Sequence, residues 1–495
     1  MKSGWAIRWT NCSRPAACAG CTASQPRKAS PRASRNWPGG CRQCWTWRSF
    51  PRMPGSAFRK TACRAGSASS GASTDRSGSS LQLARSRADA NVAGMSGQVC
   101  IVGGGPAGLL LARRGADVTV LEAHDTFDRE FRGEILQPST SRLLDALGLL
   151  PYILAQPHSL LRRGHIRLGG RLAGTFEFSR IAPEYPYAIW MPQPVFLGAL
   201  RAKAESLPNF RLLMGAKVTA LHEEHGKVCG VRALHQGREL EIPAEAVAGA
   251  DGRFSRLRRN GGFDLAYAHH ELDIAWFAIE RPADWPDALT IALGQDVRGL
   301  ILPKHPRHLQ AGISLRAGQW RQWRDQGLEF VRGRVRAFDS VFAPFAEGLR
   351  DFSEFVLLEG RIELVRRWAR DGLVLIGDAA HTMSPAGAVG VNVALATAAV
   401  AAQVIHPALG RGPVPAGVLD AIQRIREPDV RLIHRLQRRA QGLLLPPERE
   451  TWRTRAAQRL LPLFLRTPLL PRLQRRVFFG TPLPPLDPAF SLDKN

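Results

Sequence analysis

One stretch decides the fold: Val99-Cys100-Ile101-Val102-Gly103-Gly104-Gly105-Pro106-Ala107-Gly108, in which an apolar strand runs into a glycine-rich turn. A helical segment (109–114) follows the turn. A second apolar strand (117–121) then ends at Glu122, whose carboxylate can accept hydrogen bonds from ribose hydroxyls. This order of strand, glycine turn, helix, strand and acid predicts a βαβ unit that binds a dinucleotide.

The glycines of the turn have separate tasks in such a unit. Gly103 permits the tight turn, Gly105 lets a pyrophosphate approach the backbone, and Gly108 lets the helix pack closely on the strand. Pro106 and Ala107 lie between them and complete the predicted cofactor-binding set of the turn. The helix that starts here offers free N–H groups and the positive end of its dipole to phosphate.

Two further motifs follow along the chain. The first, Gly249-Ala250-Asp251-Gly252-Arg253-Phe254-Ser255-Arg256-Leu257-Arg258, comes directly after a strand-like Ala-Val-Ala run (246–248). The second is Gly372-Leu373-Val374-Leu375-Ile376-Gly377-Asp378-Ala379-Ala380-His381, which continues to a helix that starts near Val391. Taken alone, an aspartate after a strand is usually a turn or cap residue, and His381 is usually a packing residue.

Together and in this order, the three motifs resemble the single-component flavoprotein aromatic hydroxylases (group A FAD monooxygenases of the para-hydroxybenzoate hydroxylase type). The resemblance covers about 96–405. It implies that Asp378 holds a ribityl hydroxyl of FAD, and that Asp251 and Gly252 lie near the pyrophosphate and serve both FAD and NAD(P)H. It also places Pro385 beside the flavin ring. A helix that opens with Gly390, Val391 and Asn392 would point at the flavin N1–C2=O edge, where its N-terminus stabilises negative charge.

Two additional residues match positions of the resembling family. In relatives an arginine at the place of Arg132 contacts the FAD phosphates and helps the flavin to move; the alternative is an ordinary surface arginine. Gln193 follows the apolar run 187–192 and precedes a predicted helix (195–206). It matches a glutamine that contacts the flavin chain in relatives.

The implied fold class is α/β, with a Rossmann-like FAD-binding domain of the glutathione-reductase βαβ type, an antiparallel β-sheet substrate domain and a helical C-terminal tail. We expect the FAD-binding domain in 95–163, 189–262 and 360–406, the substrate domain in 164–188 and 263–359, and the helical region in 407–495. Strand-like runs at 164–178, 272–280, 288–293, 298–303 and 309–315 predict the substrate sheet. Trp276 and Phe277 could line its pocket, but aromatic residues in a sheet are more often core.

The resemblance implies a monooxygenase that uses NAD(P)H and O2 to hydroxylate an aromatic, polycyclic or quinone-like small molecule through a flavin C4a-hydroperoxide. The cofactor carries that chemistry, so neither a metal nor a catalytic triad is expected. His381 lies in a structural loop beside the flavin in relatives, and we regard it as flavin-proximal rather than catalytic. No second glycine fingerprint and no Trp-x-Trp-x-Ile signature occurs, which argues against disulfide-reductase-like enzymes and flavin halogenases. We expect a cytoplasmic location.

The sequence departs from this family in two places. About four residues are missing between Gly108 and Asp117, which shortens the first helix by close to one turn. Thr397 stands where relatives usually carry an aspartate. Either change could weaken FAD binding, so a flavin-binding remnant without turnover is an alternative function.

The net charge of +26 raises nucleic-acid binding as a third class, but the charge is unevenly placed. Residues 1–94 hold 16 of the 68 basic residues, only 2 of the 42 acidic ones, and 6 of the 8 cysteines. This segment has three interpretations: a zinc ribbon, a transit peptide, or a disordered extension upstream of a true start at Met95. We favour the last and predict no nucleic-acid partner.

The C-terminal region is predicted to be helical and basic. Arginines at 431, 435, 438 and 439 share helical spacing with leucines and an isoleucine. Two interpretations stay open: a membrane-surface helix that contacts the bilayer peripherally, or a helix packed on the flavin domain with its arginines in water. No transmembrane helix is expected, because no stretch of 18 apolar residues was found.

Overall fold

The computed structural model describes residues 98–104, 116–127 and 133–446, and the single positions 460, 467, 475 and 485. Several predictions from the sequence therefore lie outside the described residues. They concern the segment 1–94 with the start at Met95, the shortened helix, most of the tail beyond 446, and the site residues Gly105, Pro106, Ala107, Gly108 and Arg132.

The described residues form twenty strands. In chain order they are β1 (Val99–Val102), β2 (Val118–Glu122), β3 (Gly133–Leu136), β4 (Ser159–Leu161), β5 (Arg163–Leu168), β6 (Arg171–Glu177), β7 (Ala188–Pro192), β8 (Phe210–Met214), β9 (Lys217–Glu224), β10 (Lys227–His235), β11 (Arg238–Pro243), β12 (Ala246–Gly249), β13 (Leu265–Glu280), β14 (Ala288–Leu293), β15 (Arg298–Lys304), β16 (His308–Arg316), β17 (Val356–Val365), β18 (Ala369–Arg370), β19 (Leu373–Leu375) and β20 (His381–Thr382).

The same part of the chain forms ten α-helices. They are α1 (Pro138–Ala146), α2 (Leu150–Leu154), α3 (Phe178–Ile181), α4 (Gln193–Glu205), α5 (Arg256–Asn260), α6 (Gln319–Asp325), α7 (Leu328–Phe338), α8 (Ala343–Gly348), α9 (Gly390–Ile405) and α10 (Ala416–Leu444). Short 3-10 turns lie at Ser340–Phe342, Phe352–Glu354, Gly377–Ala379 and His406–Ala408.

The nucleotide-binding sheet has six strands in the order β18-β19-β12-β1-β2-β8. All neighbours pair in parallel except β18 and β19. Its inner strands β1, β2, β12 and β19 are buried along their whole length, which is why they read as continuous apolar runs rather than alternating ones. The predicted Rossmann-like βαβ arrangement of strands is confirmed.

A second, eight-stranded sheet has the order β20-β17-β13-β16-β15-β14-β5-β6 and is antiparallel apart from the β14–β5 pair. Six of its strands fall on the five predicted runs, β5 and β6 sharing the first, so the expected antiparallel layer is confirmed; the sequence did not predict β17 and β20. Alternate residues of β13 face opposite ways. Ile274 and Trp276 pack toward the small sheet β3-β7-β4, whereas Ala275 and Phe277 pack beneath α6, α7 and α8. The remaining sheet is the meander β9-β10-β11.

Two long helices complete the described fold; α10 lies in the predicted helical region 407–495, and α9 precedes it. Helix α9 is almost wholly apolar, and a 19-residue segment at Gly390–Ala408 is long and apolar enough to cross a membrane by length and composition. Asn392, Thr397 and Gln403 interrupt the apolar run, so the segment does not read as an unbroken apolar stretch in the sequence. In the structure 61% of this segment's 18-residue window is buried inside the protein, as in a core helix. Helix α10 packs along α9 and carries Pro428 inside it.

Candidate cofactor site

Four of the predicted site residues lie at one edge of the nucleotide-binding sheet. Because β1, β2, β12 and β19 run in parallel, their carboxyl ends meet at the same edge. Gly103 follows β1, Glu122 ends β2, Asp251 follows β12 and Asp378 follows β19. In open α/β sheets, ligands bind outside these carboxyl ends.

Gly103 lies where no side chain fits. Its φ is +108°, and a Cβ at this position would stand 2.3 Å from the carbonyl oxygen of Ala250 and 2.9 Å from the amide nitrogen of Asp251. Gly103 therefore lies directly against the backbone of Ala250 and Asp251, where the second motif begins. Only glycine permits both this φ and this approach.

Glu122 is held in place by backbone amides. One carboxylate oxygen accepts a hydrogen bond from Gly104 N at 2.8 Å, and the other accepts one from His124 N at 3.0 Å. The side chain is only 4% exposed. Glu122, predicted to bind a ribose, is thus hydrogen-bonded to Gly104 in the turn that is predicted to bind the phosphates.

Asp251 caps helix α5. Its Oδ2 accepts hydrogen bonds from Arg256 N at 2.7 Å and Leu257 N at 3.1 Å, and the Ser255 hydroxyl accepts one from Arg258 N at 2.9 Å. Asp251 Oδ1 is buried and has no hydrogen-bond partner in the described part of the chain. A buried acceptor without a partner carries a desolvation cost that a ligand donor would remove.

Gly252, the next residue, has a φ of +79° with open space around its Cβ position. This positive φ is one that glycine adopts without strain, and no described atom lies within 4 Å of the Cβ position. Asp251 and Gly252 therefore both lie at the edge. Asp251 offers a buried acceptor, and Gly252 has open space at its Cβ position among the described residues.

Asp378 contacts Arg253, an arginine of the second motif whose role the sequence did not predict. Arg253 Nε lies 3.3 Å from Asp378 Oδ2, while Arg253 Nη1 donates to the Glu359 carbonyl at 2.8 Å. Arg253 thus ties the loop after β19 to β17 of the second sheet. The Asp378 side chain stays 30% exposed at the sheet edge, where a ligand can reach it.

Arg258 was also missed, although it ends the second motif. Its guanidinium donates to the carbonyls of Arg253 at 2.8 Å and Ala379 at 3.3 Å, and lies 3.5 Å from Glu363. The sequence shows only that Arg258 stands six residues after Gly252, near the start of a helix. This position does not identify a partner such as Ala379, more than a hundred residues away.

Pro385 lies in a tight turn before α9. A Cβ on Gly360 would stand 3.1 Å from Pro385 Cδ, so the proline packs on a glycine of β17. Ala388 N donates to the Pro385 carbonyl at 3.0 Å, and Ala388 adopts a positive φ of 49°. Gly390 and Val391 then begin α9, as the sequence predicted.

The Asn392 side chain is fully used inside the protein. Its Oδ1 accepts hydrogen bonds from Gln137 N at 2.8 Å and from the Thr140 hydroxyl, and its Nδ2 donates to the carbonyls of Ala388 at 2.9 Å and Ile135 at 3.1 Å. Asn392 therefore joins the start of α9 to β3 and α1. Only its place in the first turn of α9, not its amide, is left to face a cofactor.

Gln193 is buried at the first position of α4, next to the strand pair β3–β7. In this pair, Ile135 of β3 and Trp190 of β7 pack in one buried cluster with residues of the second sheet. Phe277 packs in the other core of the second sheet, beneath α6–α8.

His381 is a buried neutral residue. Burial lowers its pKa to about 3, and nearby His434 and Arg426 act in the same direction. Its Nε2 lies 3.0 Å from the hydroxyl of Thr397, which itself donates to the Val393 carbonyl at 2.9 Å. Nε2 is therefore the protonated nitrogen, and the Thr397 hydroxyl accepts its hydrogen bond without adding a charge, while Nδ1 is buried and has no partner among the described residues.

Comparison with known proteins adds three findings. Residues 96–435 match the family model described as FAD binding domain. The chain is 35% identical over 397 residues to 6-methylpretetramide 4-monooxygenase of Streptomyces rimosus, a match that covers 77% of this chain and 92% of the relative.

Two solved structures share the fold. p-Nitrophenol 4-monooxygenase from Pseudomonas putida DLL-E4 superposes with a TM-score of 0.66 at 20% identity, covering 77% of this chain and 98% of the other. Anhydrotetracycline hydroxylase from Streptomyces rimosus gives 0.61 at 23% identity, covering 78% and 76%.

Proposed function

The chain belongs to the FAD-dependent aromatic monooxygenases, and from that premise we propose that it uses NAD(P)H and O2 to hydroxylate a polycyclic phenol or a related aromatic compound. The observation that carries this proposal is that four predicted site residues lie at the carboxyl edge of one parallel sheet: Gly103, Glu122, Asp251 and Asp378. A dinucleotide cofactor binds at such an edge in doubly wound folds.

The residues present fit FAD. The edge offers a buried acceptor, Asp251 Oδ1, that has no hydrogen-bond partner among the described residues, and the Cβ position of Gly252 has no described atom within 4 Å. Glu122 and Asp378 add acceptors for hydroxyl groups, and FAD carries such groups on its ribose and its ribityl chain. No described side chain fills the space in front of Gly252.

In this proposal Gly103 and Glu122 hold the adenosine end, Asp251 and Gly252 lie near the pyrophosphate, and Asp378 holds the ribityl chain. Bound FAD would supply the redox chemistry, accepting a hydride from NAD(P)H and activating O2. The N-terminus of α9 at Gly390 stabilises negative charge by its dipole. Arg132 and the glycines from 105 to 108 stay predictions at the phosphates.

The layer between the two sheets supplies the apolar surroundings for the substrate. Trp190, Ile274, Trp276 and Leu302 belong to one buried cluster that joins the second sheet to β7. In this proposal the aromatic substrate lies against this apolar layer, which keeps water from the reacting atoms. The names of two relatives, 6-methylpretetramide 4-monooxygenase and anhydrotetracycline hydroxylase, favour a polycyclic substrate class.

The test is NADH and NADPH oxidation by the purified chain with a panel of simple phenols and polycyclic phenols. We expect one polycyclic compound to stimulate oxidation and to gain one oxygen atom from isotope-labelled O2. Bound FAD that NAD(P)H never reduces, with any compound of the panel, would favour the flavin-binding remnant instead.

Separation of cell membranes from cytosol tests two further predictions. Recovery of the chain in the salt-washed membrane pellet would support membrane contact of the C-terminal region, and recovery in the soluble fraction would support the cytoplasmic location of the protein.

A further inference from the structure

The C-terminal helix α10 reaches the turn that carries Pro385 through one buried amide. Gln437 Nε2 donates to the carbonyl oxygens of Ser384 at 2.7 Å and Ala386 at 2.9 Å, and Gln437 Oε1 accepts a hydrogen bond from Ser384 N at 3.2 Å. The side chain is only 4% exposed. Three hydrogen bonds from one side chain thus bracket Pro385 on both sides.

A second glutamine one helical turn later strengthens this contact. Gln441 Nε2 donates to the Ser384 hydroxyl at 3.0 Å, and the same hydroxyl accepts a hydrogen bond from Ala386 N at 3.3 Å. Ala386 packs with Leu272, Leu444 and Leu445 in a small apolar cluster. Helix α10 therefore supplies four of the hydrogen bonds that hold Ser384 and Ala386 in place.

The end of α10 is fastened to the second sheet. Arg298 on β15 is 6% exposed, and its Nη1 donates to the carbonyls of Leu443 at 2.8 Å and Leu445 at 3.1 Å. Arg316 on β16 donates to the Pro446 carbonyl at 3.0 Å. These guanidinium groups satisfy carbonyls that a helix C-terminus leaves without partners. Helix α10 thus spans from the second sheet to the turn at Pro385.

We propose that Gln437 is a positioning residue: it fixes the backbone of Ser384–Ala386, and with it Pro385, for contact with the bound cofactor. The proposal rests on the proposed function, because it is that function which gives the Pro385 turn a cofactor to contact. The amide is suited to the task, since it donates to two carbonyls and accepts from one N–H at the same time. Neither an aliphatic side chain nor a carboxylate can do both.

The test compares two substitutions on the same helix. Gln437→Leu removes the contacts to Ser384 and Ala386. Gln423→Leu is the matched control, because Gln423 also bonds backbone: its Oε1 accepts from Trp368 N at 2.9 Å and its Nε2 donates to the Arg366 carbonyl at 3.0 Å. Gln437→Glu is the second variant for the case that the leucine variant does not fold.

Two measurements are made on the full-length chain. Hydrogen exchange without cofactor reports on peptides that cover 381–390, and FAD titration followed by flavin fluorescence gives the affinity. We expect at least tenfold faster exchange in this segment and about tenfold weaker FAD binding for Gln437→Leu, with a changed visible spectrum of bound flavin. Gln423→Leu should match the wild-type chain in all three readouts.

Equal exchange in 381–390 for Gln437→Leu and Gln423→Leu overturns the proposal. So does faster exchange without any difference in FAD affinity or flavin spectrum, because the glutamine would then only stabilise the fold. If the wild-type chain takes up no FAD, the proposed function fails first and the positioning role fails with it, while the exchange data still show whether Gln437 fixes the turn.

Discussion

The close approach of Gly103 to the Ala250 carbonyl leaves no room for a side chain at this point of the site. It brings the end of β1 against the backbone that leads into Asp251, at a φ of +108°. A side chain here would have to displace main-chain atoms of a neighbouring buried strand, which cannot move as a flexible side chain can. The approach of two backbones is thus what brings the first two motifs together.

Gly103→Ala should destabilise the chain by about 2–4 kcal/mol and abolish FAD uptake, because it combines backbone strain with a clash at the Ala250 carbonyl. Urea denaturation and FAD titration measure the two effects. The control is Gly237→Ala, whose φ of +77° is similarly strained but whose Cβ would meet nothing within 4 Å. Equal losses for the two variants would show that the close approach is irrelevant.

Asp378→Ala should weaken FAD binding by about 10- to 100-fold, since a carboxylate acceptor for a ligand hydroxyl is lost. Asp371→Ala is the control, because Asp371 precedes β19 and its Oδ1 accepts a hydrogen bond from Ala416 N at 2.7 Å, away from the carboxyl edge. Titration with FAD at constant ionic strength compares the two. Unchanged affinity in the Asp378 variant would remove this residue from the site.

The sequence predicted Gly103 and Glu122 because each directly follows or ends an apolar strand, and this local pattern is enough to place them at a sheet edge. Asp378 was assigned by the resemblance to the flavoprotein hydroxylases. Partners of these residues were not predictable in the same way. Arg253 meets Asp378 across 125 residues, and Asn392 meets Gln137 across 255. Such pairs depend on how the layers pack, which no local pattern encodes.

At the scale of elements, the contact of α10 with the strand β20 buries two histidines. Burial lowers the pKa of His434 to about 4, and its Nδ1 lies 2.9 Å from the hydroxyl of Tyr267, whose own pKa burial raises. The pKa of His381 is lowered to about 3. Both imidazoles are therefore neutral in the folded chain at pH 7.

The folded chain should lose stability as the pH falls from about 6.5 toward 4. Over this range the unfolded chain binds protons on these histidines, whose ordinary pKa is about 6.5, and the folded chain does not. Each histidine contributes a slope of at most about 1.4 kcal/mol per pH unit. Urea denaturation at several pH values should give a shallower slope for His434→Gln and an unchanged one for His308→Gln, at an exposed position. Parallel curves for wild type and His434→Gln would contradict the burial argument.

Helix α10 shows where element-level prediction stops. Its helical spacing was visible, and its exposed arginines were recognised, including Arg431 and Arg435. The buried stripe on the opposite side is partly polar and includes Arg426, Asp429 and Gln437, so it did not read as a face that packs. Within it, Arg426 and Asp429 pair at 2.8 Å, which allows both charges to be buried.

At the scale of the whole molecule, the charge of +26 does not require a nucleic-acid partner. Sixty arginines stand against eight lysines, which suggests a biased coding composition. Many arginines of the described residues, such as Arg253, Arg258 and Arg298, bond carbonyls or acids within the protein. The charge is therefore a poor guide to function here.

Removal of residues 1–94 should leave FAD affinity unchanged, because the nucleotide-binding sheet begins at Val99. Any DNA binding of the full-length chain should be lost in the chain that starts at Met95, and should fall steeply with salt in the full-length chain. Titrations with FAD and with a DNA duplex at two salt concentrations compare them. Salt-sensitive DNA binding that persists in the shorter chain would revive the nucleic-acid hypothesis.

The most direct measurement is the visible absorption spectrum of the purified full-length chain after addition of FAD and removal of the excess. The carboxyl edge with Gly103, Glu122, Asp251 and Asp378 predicts a yellow protein with one FAD per chain, whose colour bleaches when NAD(P)H and an aromatic substrate are added without oxygen. A folded chain that stays colourless would contradict the assignment of this edge as a cofactor site.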